Sequence, residues 1–259
     1  MSNKRATVLS LGAGVQSSAL LLMAERGIVP RPDFAVFADT GAEPKQVYRW
    51  LDYIETKVTI PIHRTMWRNL YDDTIANWNN FLMIPAFIDR DGKKGLGKRQ
   101  CTNKYKIEQI YREVRKQLGY APRKHTKHKV TMQMGISVDE ASRMKPSRIK
   151  WVTNSFPLID LGLSRADCKK FVVGVLGKAP PRSACTFCPY RSNEEWINMK
   201  KTDPASWAQA IEVDEAIRNA KEKNGTMYLH RSCQPLSGAD LTDKQPALWD
   251  EECAGICGV

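Results

Sequence analysis

The sequence has no apolar run of the ~18–20 residues that a membrane-spanning helix needs. An apolar stretch follows Lys4 and Arg5, but it breaks at Gly12 and lacks a small-residue cleavage site, so we expect no secretory signal. The 259 residues contain no internal repeat and no low-complexity tract. We therefore expect a cytoplasmic protein without membrane contact, built from one sizeable domain and a smaller appendage.

Acidic residues are scarce relative to basic ones, at 28 against 40, which leaves a net charge of +12. The segment 93–129 is the most basic, with thirteen Lys or Arg and only two acids, Glu108 and Glu113. Apolar residues between Ile107 and Leu118 predict an amphipathic helix inside it. The density of cations favours a surface that contacts nucleic-acid phosphates, although a plain solvated face is the alternative.

Seven cysteines form an odd set, which fits a reducing compartment better than a disulfide framework. Cys185 and Cys188 have the spacing that lets two thiolates hold one metal. With Cys101 and Cys233 they supply four thiolates for Zn²⁺ or for a [4Fe–4S] cluster, and spacing does not decide between the two. Cys168 lies in a predicted helix and is expected to be an ordinary thiol.

The last two cysteines, Cys253 and Cys257, lie in what we expect to be a mobile tail. Mobile thiols are accessible, and accessibility suits a sulfur or electron shuttle. We therefore predict that one of them is catalytic. The alternatives are an additional pair of metal ligands and an inert tail.

The stretch from Val8 to Leu22 combines a short apolar strand, a turn containing Gly12 and Gly14, and the beginning of a helix. Glycines allow a close backbone approach to a ligand, and Ser17 and Ser18 add hydroxyls near the helix N-terminus. Together these features predict a phosphate-binding loop. The alternative is a strand-to-helix turn in which the glycines serve chain geometry alone.

A second strand over 34–38 ends in the loop 39–43, and another helix follows from Pro44. Alternating strands and helices predict an α/β fold, with a parallel sheet flanked by helices in a Rossmann-like arrangement. Ligands bind such sheets at the carboxyl ends of the strands. Asp39 and Glu43 are then placed to hold Mg²⁺ or a ribose hydroxyl, or else to cap a helix.

The composition of the sequence changes after Pro180-Pro181, where cysteines and aromatic residues occur among predicted loops. We predict a nucleotide-binding α/β domain over 1–180 and a smaller cysteine-rich C-terminal region over 181–259. The oligomeric state is not evident from the sequence.

An ordered set of motifs resembles the phosphoadenylyl-sulfate (PAPS) reductase branch of the PP-loop adenine-nucleotide alpha-hydrolase superfamily, in particular phage and prophage members with iron–sulfur clusters. The set comprises the glycine loop at 12–18, Asp39-Thr40-Gly41-Ala42-Glu43, Cys101 to Lys106-Ile107, Gly135 to Arg143, and Pro157-Leu158-Ile159-Asp160.

The resemblance implies thiol-dependent reduction of a sulfonucleotide to sulfite, with adenosine 5′-phosphosulfate (APS) or PAPS as substrate and a tail cysteine as nucleophile. It implies nucleotide contacts at Ser10, Gly12, Ala13, Gly14, Gln16, Ser17, Ser18, Asp39, Thr40, Gly41, Glu43, Gly135 and Arg143.

The sequence departs from the family pattern at two informative positions. Gln16 replaces the usual aspartate, which favours a sulfonucleotide over ATP with Mg²⁺, and Gln100 replaces the first residue of the family's Cys-Cys pair. Cys233 must then provide a fourth thiolate, or the cluster keeps an open iron. One alternative function is ATP-dependent thiolation of tRNA or DNA bases, and another is a non-enzymatic zinc module that binds nucleic acid.

Overall fold

The computed structural model describes residues 5–76, 82–122, 124–218, 220 and 225–242. Cys253 and Cys257 lie outside the described residues, so their predicted catalytic role stays a prediction. Five parallel strands form the main sheet in the order β3-β2-β1-β6-β7. Their bounds are β1 Arg5–Ser10, β2 Phe34–Asp39, β3 Ile62–Met66, β6 Lys129–Met134 and β7 Val152–Ser155.

Side chains alternate between the two faces of the sheet along each strand, so apolar side chains lie on both faces. Helices cover both faces. On one face Leu9 and Phe37 pack in a core with helices whose bounds are α1 Val15–Glu25, α2 Lys45–Glu55, α5 Pro157–Asp160 and α6 Arg165–Leu176. On the other face Val8 and Val36 pack against α4 Glu108–Gln117. This arrangement confirms the predicted α/β class with a helix-flanked parallel sheet.

The strand order reverses next to β1, since β2 pairs with one of its edges and β6 with the other. At the carboxyl end of this pair Ser10 lies opposite Met134. A Cβ atom on Gly135 would lie 2.8 Å from the Ser17 amide nitrogen and 2.9 Å from its Cα. The absence of a side chain at Gly135 therefore lets the loop after β6 touch the beginning of α1.

A second layer, which the sequence analysis did not predict, contains a three-stranded antiparallel sheet. The strands β4 Phe87–Arg90, β5 Lys93–Leu96 and β8 Thr226–Tyr228 pair in the order β5-β4-β8. Helices α3 Leu70–Ile75, α7 Asn193–Thr202 and α8 Pro204–Ile217 share its apolar core. Strands from both sides of residue 180 thus share one sheet, while the domain division placed there stays a prediction.

The described residues also include three smaller elements. A π-helical turn over Thr102–Ile107 leads directly into α4, so the predicted amphipathic helix begins in an irregular turn. Two 3₁₀ turns span Val138–Arg143 and Leu236–Gly238. Among the described residues, no helix is both long enough and apolar enough to cross a membrane.

We predict that Gly135→Ala destabilises the protein by about 1–3 kcal/mol, because the new methyl group meets backbone atoms that have no room to move. Gly174→Ala in α6 is the matched control, since a Cβ there has nothing within 4 Å. The control is expected to stabilise the helix by about 0.5–1 kcal/mol. Urea unfolding of both variants measures the difference, and equal free energies of unfolding would contradict the close contact.

Candidate active site

The loop between β1 and α1 holds an alanine in a left-handed backbone conformation. Ala13 has φ +58°, while Gly14 is extended at φ −94°, ψ −169°. A side chain in this region costs roughly 1–2 kcal/mol, and such strained residues cluster at functional sites. The sequence pattern attributed the unusual backbone to the glycines and did not predict the left-handed conformation of Ala13.

Two hydroxyls in this loop differ in their surroundings. The Ser10 hydroxyl is buried at the end of β1 and has no hydrogen-bond partner among the described residues. The Ser17 hydroxyl accepts a hydrogen bond from the Gly12 amide at 3.2 Å. The loop thus presents a buried hydroxyl without a partner and a glycine amide held by a side chain.

The side chains of Gln16 and Ser18 form hydrogen bonds within the protein. Gln16 Nε2 donates to Ser137 Oγ at 3.4 Å, which ties α1 to the loop that follows β6. Ser18 is fully buried, and its Oγ accepts a hydrogen bond from Trp50 Nε1 at 2.9 Å. The Ser18 hydroxyl therefore connects α1 to α2, while its predicted nucleotide contact stays a prediction.

The loop after β2 is fixed by its own polar groups. Asp39 Oδ1 accepts hydrogen bonds from the Gly41 amide and from the Tyr48 hydroxyl, both at 2.7 Å. Gly41 has φ +69°, and an added Cβ would lie 2.8 Å from the side chain of Asn69. The Thr40 carbonyl accepts from the Leu70 amide at 2.7 Å. Asp39 therefore shapes the loop, and α2 has Pro44 rather than a carboxylate at its N-cap.

Glu43 and Lys106 form an ion pair in the interior, with 3.0 Å between Lys106 Nζ and Glu43 Oε1. Their side chains are 0% and 6% exposed. The pair joins the loop after β2 to the π-helical turn that begins next to Cys101. Lys106 belongs to one of the sequence motifs, but no role was predicted for it. The signal that could have identified it is a lysine that lies among buried residues in a basic segment that is otherwise exposed.

The turn containing Cys185 and Cys188 contacts the loop after β2. The Thr186 amide donates to the Ala42 carbonyl at 2.8 Å. The Thr40 hydroxyl and the Cys185 thiol lie 3.5 Å apart. Two loops that are distant in sequence, one from each layer, therefore meet at the carboxyl edge of β2.

Arg191 fastens this cysteine turn from inside. Its guanidinium donates to the carbonyl oxygens of Ala184 at 3.1 Å and Cys185 at 3.0 Å. Burial lowers the Arg191 pKa to about 10, so the group stays a cation at neutral pH. The sequence analysis did not single out Arg191, although it follows the cysteine pair by three residues.

Three of the four predicted metal ligands line one cavity of about 30 Å³. They are Cys101, Cys185 and Cys188, and Arg99 and Lys106 line the same cavity. Burial, together with the charge of Glu43, raises the pKa of the Cys185 thiol well above its ordinary value. Arg99 and Lys106 add positive charge to the lining of this cavity, which favours an anionic ligand there.

Cys233 is not among the residues that line this cavity. It is buried with φ +57°, and its thiol is close enough to Lys94 and Asp89 to feel their charges. Among the described residues, no three His, Cys, Asp or Glu side chains are grouped closely enough to hold a metal ion. The structure therefore places three of the four predicted ligands at one cavity, and the metal itself stays a prediction.

Gly135 and Arg143 belong to the same edge of the sheet but differ in position. Gly135 touches Ser17, as described above, whereas Arg143 lines a cavity at the ends of β6 and β7. Arg143 Nη1 donates to Glu140 Oε2 at 2.7 Å, and both side chains are buried. Their predicted nucleotide contacts stay predictions.

Comparison with known proteins gives a similarity to solved structures. No family model matches the chain, and no curated protein matches it. A crystal structure of phosphoadenylyl-sulfate (PAPS) reductase from Candida auris, as a phosphate complex, is 15% identical with a TM-score of 0.43. The match covers 71% of this chain and 76% of that chain. A similarity at this level does not establish the activity of this chain.

We predict that Lys106→Met destabilises the protein by about 3–5 kcal/mol, because it leaves the Glu43 carboxylate buried without its counter-charge. The control is Lys104→Met, which removes the same charge from the same turn. Lys104 pairs with Glu108 at 2.8 Å, but those side chains are 43% and 32% exposed. We expect the control to cost less than about 1 kcal/mol, and similar losses for both would contradict the importance of the buried pair.

A second prediction concerns the thiol of Cys168, which lies outside the candidate site. Burial raises its pKa to about 12, and the residue is 0% exposed. Native protein at pH 8 should therefore leave Cys168 unlabelled by iodoacetamide, while unfolded protein should label it fully. Peptide mass spectrometry measures the extent, and rapid labelling in the native state would show that the α6 core opens.

Proposed function

We propose that this chain binds an adenine nucleotide at the loops 10–18 and 39–43 and reduces a sulfonucleotide, APS or PAPS, to sulfite with thiols. The observation that carries the proposal is the contact between the cysteine turn and the loop after β2. It brings the thiols to the sheet edge at which parallel α/β folds bind ligands. This assignment makes the chain an oxidoreductase that acts on sulfur.

The beginning of α1 supports binding of the nucleotide phosphates. Helix N-termini attract anions because their first amides point outward with a partial positive charge. The left-handed Ala13 bends the backbone in the way that anion-binding nests do. Gln16 is neutral, so it neither repels an anion nor supplies a carboxylate to Mg²⁺, which favours a sulfonucleotide over ATP.

The reaction we propose needs two thiols. A thiolate from Cys253 or Cys257 attacks the sulfur of the sulfonucleotide, and the bond between that sulfur and the bridging phosphate oxygen breaks. Adenosine phosphate leaves with the electron pair, and the enzyme carries a thiosulfonate. A second thiolate, from an external thiol donor, then attacks the cysteine sulfur, so that sulfite leaves and a disulfide forms. The thiols lose two electrons, and the sulfonate sulfur gains them.

Three of the five other cysteines are poor candidates for the nucleophile. Burial raises the pKa of the thiols of Cys168, Cys185 and Cys233, which makes them poor nucleophiles at neutral pH. Such a reaction requires a compartment that keeps thiols reduced, and we therefore propose the cytoplasm. If a [4Fe–4S] cluster binds, Cys101, Cys185 and Cys188 would hold it, with Cys233 or an open position at the fourth iron. Zinc is the alternative metal.

A second candidate function is ATP-dependent transfer of sulfur to a nucleic-acid base. It is supported by the basic segment 93–129, which exposes cations such as Arg112 and Lys116 with 61% and 73% of their side-chain surface in solvent. A small nucleotide does not require that many cations. In this reaction ATP adenylates a base oxygen, and sulfur displaces AMP.

Product analysis separates these functions. We predict that anaerobically purified protein with dithiothreitol releases sulfite and adenosine phosphate from APS or PAPS, and that it forms no pyrophosphate from ATP. Cys257→Ser and Cys253→Ser are the test variants, and at least one should lower the rate by 100-fold or more, roughly what loss of a nucleophile costs. Cys168→Ser is the control, since this thiol lies in the core beneath α6 and does not line the cysteine cavity.

Two other results would overturn the reductase. Pyrophosphate and AMP formation that depends on added RNA or DNA would establish the transferase instead. Bound zinc without nucleotide affinity would favour the non-enzymatic module.

Metal analysis tests the cysteine assignment separately from activity. We predict about four irons per chain, lost on Cys185→Ser or Cys188→Ser and retained on Cys257→Ser. Loss of iron from the Cys257 variant would contradict the division between cavity and tail cysteines.

A further inference from the structure

A second, larger cavity of about 210 Å³ opens at the carboxyl ends of β6 and β7. Its walls are apolar and partly aromatic, and they are formed by Ile107, Tyr111, Met134, Ile136, Ile149 and Phe156. Drug-sized ligands occupy pockets of roughly 300–1,000 Å³. The smaller volume here suits a single ring system.

An amide in the wall offers a specific contact. Asn154 lines the cavity, and its Nδ2 donates to the Lys145 carbonyl at 2.9 Å. Its Oδ1 is buried and has no hydrogen-bond partner among the described residues. A buried acceptor without a partner is unfavourable, so a ligand that brings an N–H group to Asn154 is stabilised.

The positive charge of the cavity lining indicates that the ligand also carries an anionic group. Arg143, Lys145 and Arg148 are among the residues lining it, and the lining contains no Asp or Glu. Lys145 and Arg148 are exposed. A flat ring fits between the apolar walls, and exocyclic N–H groups on that ring can donate to Asn154 Oδ1. An anionic group joined to the ring and lying outside the cavity can contact the exposed cations. A nucleotide has this chemistry.

Cations continue beyond the cavity along α4, which also carries the wall residue Tyr111. Arg112 and Lys116 expose most of their side chains on this helix, where they also pair with Glu108 at 4.0 Å and Glu113 at 3.4 Å. A mononucleotide has phosphate at one position only, whereas a strand carries one for each base. The extended cationic surface therefore favours a strand, and single strands bind where a cationic surface adjoins rings on which a base stacks.

We propose that this cavity takes one unpaired base of a single-stranded nucleic acid, with the adjacent phosphates at Lys145 and Arg148. The base lies between the apolar walls and donates a hydrogen bond to Asn154 Oδ1. The inference concerns binding alone and does not depend on the reaction that the cysteines perform.

The test uses the full chain and fluorescence anisotropy with a labelled single-stranded 12-mer of mixed sequence. An abasic strand of equal length is the comparison, because it keeps the phosphates and lacks the rings. We expect the normal strand to bind about 5- to 100-fold more tightly. Equal affinity for the two strands would overturn the base pocket.

The double variant Lys145→Ala/Arg148→Ala tests the place of binding. Its control, Lys169→Ala/Lys170→Ala, removes the same charge from exposed positions of α6, which packs on the opposite face of the sheet. We expect about tenfold or greater weakening for the first pair, a salt dependence smaller by about 1.4, and less than twofold weakening for the control. Equal weakening by both pairs would show that only net charge matters.

Competition with AMP distinguishes a mononucleotide from a nucleic-acid strand as the ligand of this cavity. We expect AMP to displace the strand only at concentrations at least 100-fold above that of an unlabelled strand. Displacement at equal concentrations would make the cavity a mononucleotide site and would overturn the proposal. Because these experiments measure no turnover, their failure leaves the reductase proposal intact, and failure of the reductase leaves them interpretable.

Discussion

The buried contact between Glu43 and Lys106 is the constraint on which the candidate active site depends. An ion pair in the interior is stable only when both partners are present and well oriented. This pair connects the loop after β2 to the turn that follows Cys101, and the cysteine turn at 185–188 bonds to the same loop. Segments separated by more than 100 residues in the sequence thereby share one place at the sheet edge.

The main sheet could be predicted from the sequence because its signals are local. Apolar strands that end in polar loops, each followed by an amphipathic or apolar helix, are sufficient to indicate parallel strands and their ligand-binding edge. The loops at 12–18 and 39–43 do lie at that edge. The pairing of β4 with β8 was missed because both strands are short and nearly 140 residues apart, a separation that local patterns do not report.

The site itself was predicted less completely than the sheet. Spacing grouped four cysteines, whereas the structure lines one cavity with three and places Cys233 beside Lys94 and Asp89. The unusual backbone of the turn was predicted for its glycines, whereas Ala13 has the left-handed conformation. The roles of Lys106 and Arg191 depend on burial, which a basic segment conceals because most of its cations are exposed. Packing between the layers decides these features.

Two cavities with different chemistry lie along the carboxyl edge of the sheet. The one near β2 has thiols and buried cations, while the one at β6 and β7 has rings, an amide and exposed cations. The loop at 135–137 lies between the loop at 12–18 and the second cavity, and Gly135 makes that close packing feasible. The two proposed binding sites therefore share one edge of the sheet.

Hydrogen–deuterium exchange of the full chain with saturating APS tests most directly whether the sulfonucleotide binds at the loops after β1 and β2. We expect slower exchange at the backbone amides of 10–18, 39–43 and 184–188, with little change over 145–156. Unchanged exchange over 10–18, with protection confined to 145–156, would contradict this binding site.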